Sequence, residues 1–147
     1  MALLREVIEV PTLLPEAFDY VADFSNAEDW DPGVVSSRQA GEPTAPRIGA
    51  AYDLVVRFRG NEQPMRYVIT QLERPSRIVL KGEGTKVDAV DTIELQEYEG
   101  GTRVIYEADL HLKGVARVAT PFLGSALDEM GKRALAGMRS RLAALAP

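Results

Sequence analysis

Two of the side chains that enzymes most often work with, cysteine and histidine, are absent or nearly so, and the scarcity narrows the chemistry at once. There is no cysteine and one histidine, His111. Disulfides, thiolate zinc sites, iron–sulfur clusters and cysteine nucleophiles are thereby removed. Any Ser–His–Asp triad or histidine metal site has to pass through His111. Gly124-Ser125-Ala126 comes nearest to a nucleophile elbow but lacks its second glycine. Gly82-Glu83-Gly84 lacks the third glycine of a nucleotide loop, and a strand pattern follows it. No carboxylates converge by spacing, so no metal site is expected; the chain is also expected to work without a cofactor. Proton chemistry by carboxylates and tyrosines remains, together with apolar binding.

Asp91 is the candidate for proton chemistry. Over 87–98 the residues Val87, Ala89, Asp91, Ile93 and Leu95 share one face, and Asp88, Thr92, Glu94 and Gln96 the other. Asp91 thus falls among apolar neighbours, where a carboxylate is costly unless paired, hydrogen-bonded or neutralised. Burial would raise its pKa, which suits a general acid/base or an acceptor for a ligand hydroxyl. The alternatives are a bond to a tyrosine or a bulge that turns the residue outward.

Tyr52, Tyr67 and Tyr106 each offer an apolar ring with a polar tip, as a pocket for a ring-bearing ligand would need and as an ordinary core would also use. Alternation over 50–58 puts Tyr52, Leu54, Val56 and Phe58 inside; over 102–112 it puts Val104, Tyr106, Ala108, Leu110 and Leu112 inside and His111 outside. The strand at 64–73 has two competing phases, Met65, Tyr67 and Ile69 against Val68, Thr70 and Leu72, with the first favoured. Trp30, the single tryptophan, sits at a turn near the expected pocket mouth, as packing anchor or ligand contact. Met130 and Met138 serve an adaptable pocket wall and an ordinary core equally well.

The elements that must position these residues read as follows. Residues 4–10 form a first strand, and a short helix covers 15–23, with Pro15 at its first position and Glu16 in its first turn. Ser25-Asn-Ala-Glu28 has the form of a capping box, so a second short helix is expected from there to before Pro32. From 34 to 112 the period switches to two, with strands at 34–40, 50–58, 64–73, 77–83, 87–98 and 102–112. Their short connections imply an antiparallel meander. The end is one helical pattern over 121–146. Pro121 starts it or kinks it, and Leu123, Leu127, Met130, Ala134, Met138, Leu142 and Leu145 lie on one arc. Gly124, Gly131 and Gly137 within it, at about 1 kcal/mol each against alanine, call for ligand room, mobility or close packing.

At 147 residues with 46% hydrophobic and 27% charged composition, one soluble domain over 1–147 is expected. No apolar run approaches a membrane span and no secretory signal is visible, which points to the cytoplasm. The net charge of −5 argues against nucleic acid as partner. That charge is uneven: residues 38–81 are net basic, as an anion-binding patch or as solvated strand faces.

The motifs carry a resemblance. Val10-Pro11, Pro15-Glu-Ala-Phe18-Asp-Tyr-Val-Ala-Asp23-Phe24 and Trp30-Asp-Pro32-Gly-Val34 resemble the opening of the polyketide cyclase/dehydrase-like branch of the START-like (SRPBCC) superfamily. Arg66-Tyr67 through Pro75-Ser-Arg77-Ile78 and Gly101-Thr102-Arg103-Val104-Ile-Tyr106 are similar to its later hairpin and strand. The resemblance implies an α+β helix-grip fold (START/Bet v 1-like): about seven antiparallel strands curled around the C-terminal helix, two short helices after the first strand, and a mostly apolar pocket. The expected activity is binding of a small hydrophobic molecule such as a lipid, quinone or polyketide-like compound. The alternative is an aromatic polyketide cyclase/dehydratase moving protons through Asp91 or a tyrosine. Trp30, Tyr52, Tyr67, Asp91, Tyr106, Met130 and Met138 are the expected ligand contacts, in a monomer or weak homodimer.

Overall fold

Short turns between two-residue periodicities force neighbouring strands to run antiparallel, and the first strand then has to find its partner across the sheet. The computed structural model describes residues 2–58, 60–114 and 123–147. In order they form β1 (Ala2–Val10), α1 (Leu14–Ala22), a 3-10 turn (Phe24–Asn26), α2 (Ala27–Trp30), β2 (Val34–Gln39), β3 (Ala51–Phe58), β4 (Asn61–Glu73), β5 (Arg77–Gly84), β6 (Val87–Tyr98), β7 (Gly101–Leu112) and α3 (Leu123–Leu145). The strands make one seven-stranded antiparallel sheet in the order β1-β7-β6-β5-β4-β3-β2. The meander accounts for β2 to β7, and β1 closes onto β7. The curled sheet, the short helices after β1 and the C-terminal helix match the helix-grip expectation. No helix among the described residues is long and apolar enough to cross a membrane.

The ambiguity in β4 has a structural cause. A bulge between Ile69 and Gln71 inserts one residue opposite β5. Before it Met65, Tyr67 and Ile69 are buried; after it the phase flips and Leu72 packs on the core. Each competing set is therefore right for part of the strand. The same strand tolerates Pro64 in its interior because β5 pairs with it only from Met65 onward.

The capping-box reading of Ser25 and Glu28 is overturned. Asp23 caps the 3-10 turn, accepting hydrogen bonds from the Ser25 N–H (3.1 Å) and hydroxyl (2.5 Å). Glu28 instead reaches across to β2 and accepts from the Ser37 N–H at 3.0 Å. The motif's two side chains have their partners outside the helix, and α2 shrinks to Ala27–Trp30 with Trp30 in the helix, not in the following turn.

The outer face of the sheet explains the basic middle. Arg57 opposes Glu62, Arg66 opposes Asp53, and Arg77 opposes Glu94 in register, and each pair forms an ion pair. Arg74 pairs with Asp19 of α1. These exposed pairs contribute little stability individually, and their arrangement is that of solvated strand faces.

α3 divides into two functional halves. Toward its C-terminus Met138 and Leu142 are fully buried, the Leu142 carbonyl accepts from the Thr12 hydroxyl, and Arg141 Nε donates to the Asp29 carbonyl at 2.9 Å. Leu135, not singled out by the periodicity, is buried too, while Leu145 is 47% exposed because the helix runs past the end of its contacts. The expectations for Pro121 and the Leu123 side chain lie outside the described residues. Gly137 is the contact that sets the spacing: a Cβ there would stand 1.9 Å from the Trp30 carbonyl oxygen. A methyl group in that position would push α3 and α2 apart. Gly137→Ala is therefore expected to lower stability by about 1–3 kcal/mol in urea denaturation, as overpacking does, despite the better helix former. Gly124→Ala, with nothing within 4 Å, is expected to be neutral or stabilising by up to about 1 kcal/mol.

Candidate functional site

A bent sheet clasped by one helix leaves space where the helix stops packing. That space is a cavity of about 320 Å³ between the inner face of the sheet and the N-terminal half of α3. Leu127, Met130, Gly131 and Ala134 face it from α3, while Leu54, Val56 and Met65 form part of the sheet wall. A ligand pocket for a small organic molecule begins at roughly this size.

Five of the seven expected contacts come together here: Trp30, Tyr67, Asp91, Tyr106 and Met130 all line the cavity. Tyr52 and Met138 do not. Both are fully buried, Tyr52 beneath Phe24 and Met138 in the packed half of α3, so they are core residues. Phe24 joins the lining as an unforeseen member, and its ring links the others. Centroid separations are 5.1 Å from Phe24 to Tyr67, 6.1 Å from Phe24 to Trp30 and 6.0 Å from Trp30 to Tyr106. Tyr67 can lie flat against the sheet because its partner across the ladder is Gly82, where a Cβ would come within 2.6 Å of the ring. Gly82, no part of a nucleotide loop, thus makes room for a cavity tyrosine. Gly131 borders the cavity, whereas Gly137 serves packing.

Asp91 points inward, as the alternation of β6 predicts, and is 5% exposed. The Tyr106 hydroxyl donates to its Oδ2, and its Oδ1 has no hydrogen-bond partner. Burial pushes its carboxyl up to about 7; the Tyr106 hydrogen bond opposes the shift and the nearby charge of Asp31 adds to it. Burial also raises the Tyr67 and Tyr106 hydroxyls well above their ordinary value, with Asp91 adding to each. The tyrosine partner and the inward acid are therefore not alternatives: both hold at once.

Asp31 is a member of the site that the sequence does not single out. It follows Trp30, lines the cavity, and accepts the Gly33 N–H at 2.8 Å, and burial raises it to about 6 against that hydrogen bond. Its signal in the sequence is only that of a turn residue before Pro-Gly. Gln63 of β4, with a buried and unpartnered Oε1, also reaches the lining unforeseen. His111 is exposed on the outer face, as alternation predicts. Among the described residues no cluster of three or more His, Asp or Glu is placed to hold a metal ion.

A family model described as polyketide cyclase/dehydrase and lipid transport matches residues 1–146. No curated protein matches the chain. Solved structures share its fold over nearly its full length. A START superfamily protein from Mycobacterium smegmatis superposes with a TM-score of 0.82 at 14% identity, covering 99% of each chain. A protein from Thermus thermophilus gives the same values. The Zhui aromatase/cyclase of Streptomyces sp. R1128 superposes with a TM-score of 0.74 at 14% identity, covering 98% of this chain and 92% of the other. Such distant likenesses establish the fold and leave the site to its own residues.

The Asp91 geometry has a consequence for stability. Its folded pKa, about 7, lies above the ordinary value of 3.8. Folding therefore takes up a proton between those values: the stability tied to Asp91 is fully present below the lower one and is lost as pH rises through the upper one. Asp91→Asn removes the ionisation. The variant should gain on the wild type by about 2.5 kcal/mol between pH 5 and pH 8 in urea denaturation. A constant difference across that range would show that the carboxyl is not raised.

Proposed function

Because the chain belongs to the polyketide cyclase/dehydrase and lipid-transport family, we propose that it binds a small hydrophobic molecule in the cavity between the sheet and α3. The observation that carries this reading is the division of α3. Its C-terminal half is packed tightly enough to require a glycine, while its N-terminal half stands over about 320 Å³ of largely apolar space. A structure built only for stability would fill such a space, since apolar walls without packing partners forgo burial and dispersion contacts. Four aromatic rings, packed edge-on or tilted against one another, line it and offer apolar area to a ring-bearing ligand.

Catalysis is the second reading, and Asp91 is the observation that favours it. A carboxyl with a pKa of about 7, hydrogen-bonded to Tyr106 at a cavity wall, is suited to exchange protons near neutral pH. In that case the apolar walls would fold a flexible substrate and Asp91 with Tyr106 would supply the acid/base step of a cyclisation or dehydration. The two readings separate in Asp91→Asn. A role in turnover predicts a loss of about 10²–10⁴-fold in rate with binding largely retained. A role in orienting a ligand predicts binding weaker by about 1–3 kcal/mol.

Binding itself is tested with the neutral apolar fluorophore N-phenyl-1-naphthylamine. Saturable uptake by the wild type, lost in Ala134→Trp, whose larger side chain fills the cavity from α3, is the expected result. Equal uptake by both proteins, with the variant folded, would place the binding elsewhere and end the reading. Native mass spectrometry followed by denaturation and organic extraction then identifies any molecule that co-purifies.

A further inference from the structure

The polar groups facing the cavity are unevenly matched. Asp91 is 5% exposed with Oδ1 unpartnered, Gln63 Oε1 is buried and unpartnered, and Asp31 lies on the same wall system, close enough to raise Asp91. The acids and Gln63 Oε1 are acceptors when the acids are ionised, and the Trp30 indole N–H, also buried and unpartnered, is a neutral donor beside them. No lysine or arginine among the described residues forms an ion pair with Asp91 or Asp31. Glu6 adds a further acid to the lining. The one described cation there, Lys86, lies in the bend before β6, and the strand from Val87 to Asp91 alone spans about 13 Å. A buried carboxylate without a cation is a costly arrangement that a ligand can relieve.

The surroundings of Asp91 favour the same kind of ligand. Tyr106 holds its Oδ2, and the rings of Tyr106, Trp30, Phe24 and Tyr67 follow one another at 5.1–6.1 Å. The faces of aromatic rings attract organic cations at about 6 Å or less, most strongly where water is excluded. Hydroxyl or carbonyl ligands would gain from the rings' apolar area but not from their charge distribution. Anionic ligands would meet three acids.

We propose that the cavity selects a hydrophobic amine: a protonated ammonium held by Asp91 Oδ1 and faced by the aromatic rings, with an apolar body lying under the N-terminal half of α3. This rests on the cavity-binding reading above and names the charge class of its ligand. An ammonium beside Asp91 also offsets the desolvation that raises the carboxyl, because the charged form then has its counter-ion.

The test uses three compounds that share one apolar body: 1-naphthylmethylamine, 1-naphthylmethanol and 1-naphthoic acid, titrated calorimetrically at pH 8. The amine is expected to bind the wild type at least about tenfold more tightly than the alcohol, the range of a hydrogen bond to a charged group, and the acid weakest of the three. In Asp91→Asn the amine should lose about tenfold or more while the alcohol changes by less than about threefold. Asp31→Asn should weaken the amine by a smaller factor, since it acts through space. An alcohol or acid that binds as tightly as the amine overturns the selectivity and leaves the cavity reading standing. Failure of all three to bind overturns both. The wild-type ranking decides the matter even if a variant does not fold.

Discussion

The contact between Gly137 of α3 and the Trp30 carbonyl is the constraint on which the rest of the structure depends. With no side chain at 137, helix and backbone approach within what would be 1.9 Å of a Cβ. This fixes the distance of α3 from α2, and the Thr12 and Arg141 hydrogen bonds fix its height and roll at the same end. A straight helix of 23 residues is about 35 Å long. Once one end is seated, its other half must cross the concave sheet at whatever height that seat dictates. The cavity is the volume left between that path and the strands, so it depends on close packing elsewhere. Trp30 joins the two regions: its carbonyl forms the seat and its ring forms a cavity wall.

The second constraint is electrostatic. The ladder places Asp91 opposite Ala108, with Tyr106 one step along the same face of β7, so the acid meets a hydroxyl without any bulge. One hydrogen bond does not offset full desolvation, and the carboxyl stays raised. The protein thus carries a local instability inside a core that is otherwise apolar. Such a compromise is typical of positions that meet a ligand or a proton rather than positions that only pack.

Most of the fold was legible because its elements obey strict periods. The alternation of β6 placed Asp91 inward and that of β7 placed His111 outward, with no knowledge of partners needed. The failures lie where side chains answer to something distant in the chain. Ser25 and Glu28 look like a capping box until Asp23 and Ser37 compete for them. Tyr52 and Tyr67 are chemically alike in sequence, and only the curvature of the sheet and the gap at Gly82 put one in the core and the other at the cavity. Met138 and Met130 share a helical face, yet they fall on opposite sides of the point where α3 leaves its seat. Asp31 was hidden because a turn residue reveals nothing of which wall its turn will join.

A fold held at 14% identity over whole chains shows how little of the sequence this architecture needs. Alternating strands, a long helix and a few places of close approach suffice, and many side chains satisfy those demands. The same tolerance means that shape alone does not select a ligand, since any apolar body of suitable size gains from burial in such a cavity. Selection has to come from the few polar atoms that face it. In this chain they are chiefly carboxylates, with the Gln63 amide and the Trp30 N–H, beside aromatic rings, while arginines of the strands pair with acids on the outer face. Charge has been sorted by the pleat: matched outside, where it has little energetic weight, and unmatched inside, where low polarity magnifies it. That asymmetry distinguishes this cavity from an apolar void, because a ligand able to supply the missing positive charge gains far more there than it would at the surface.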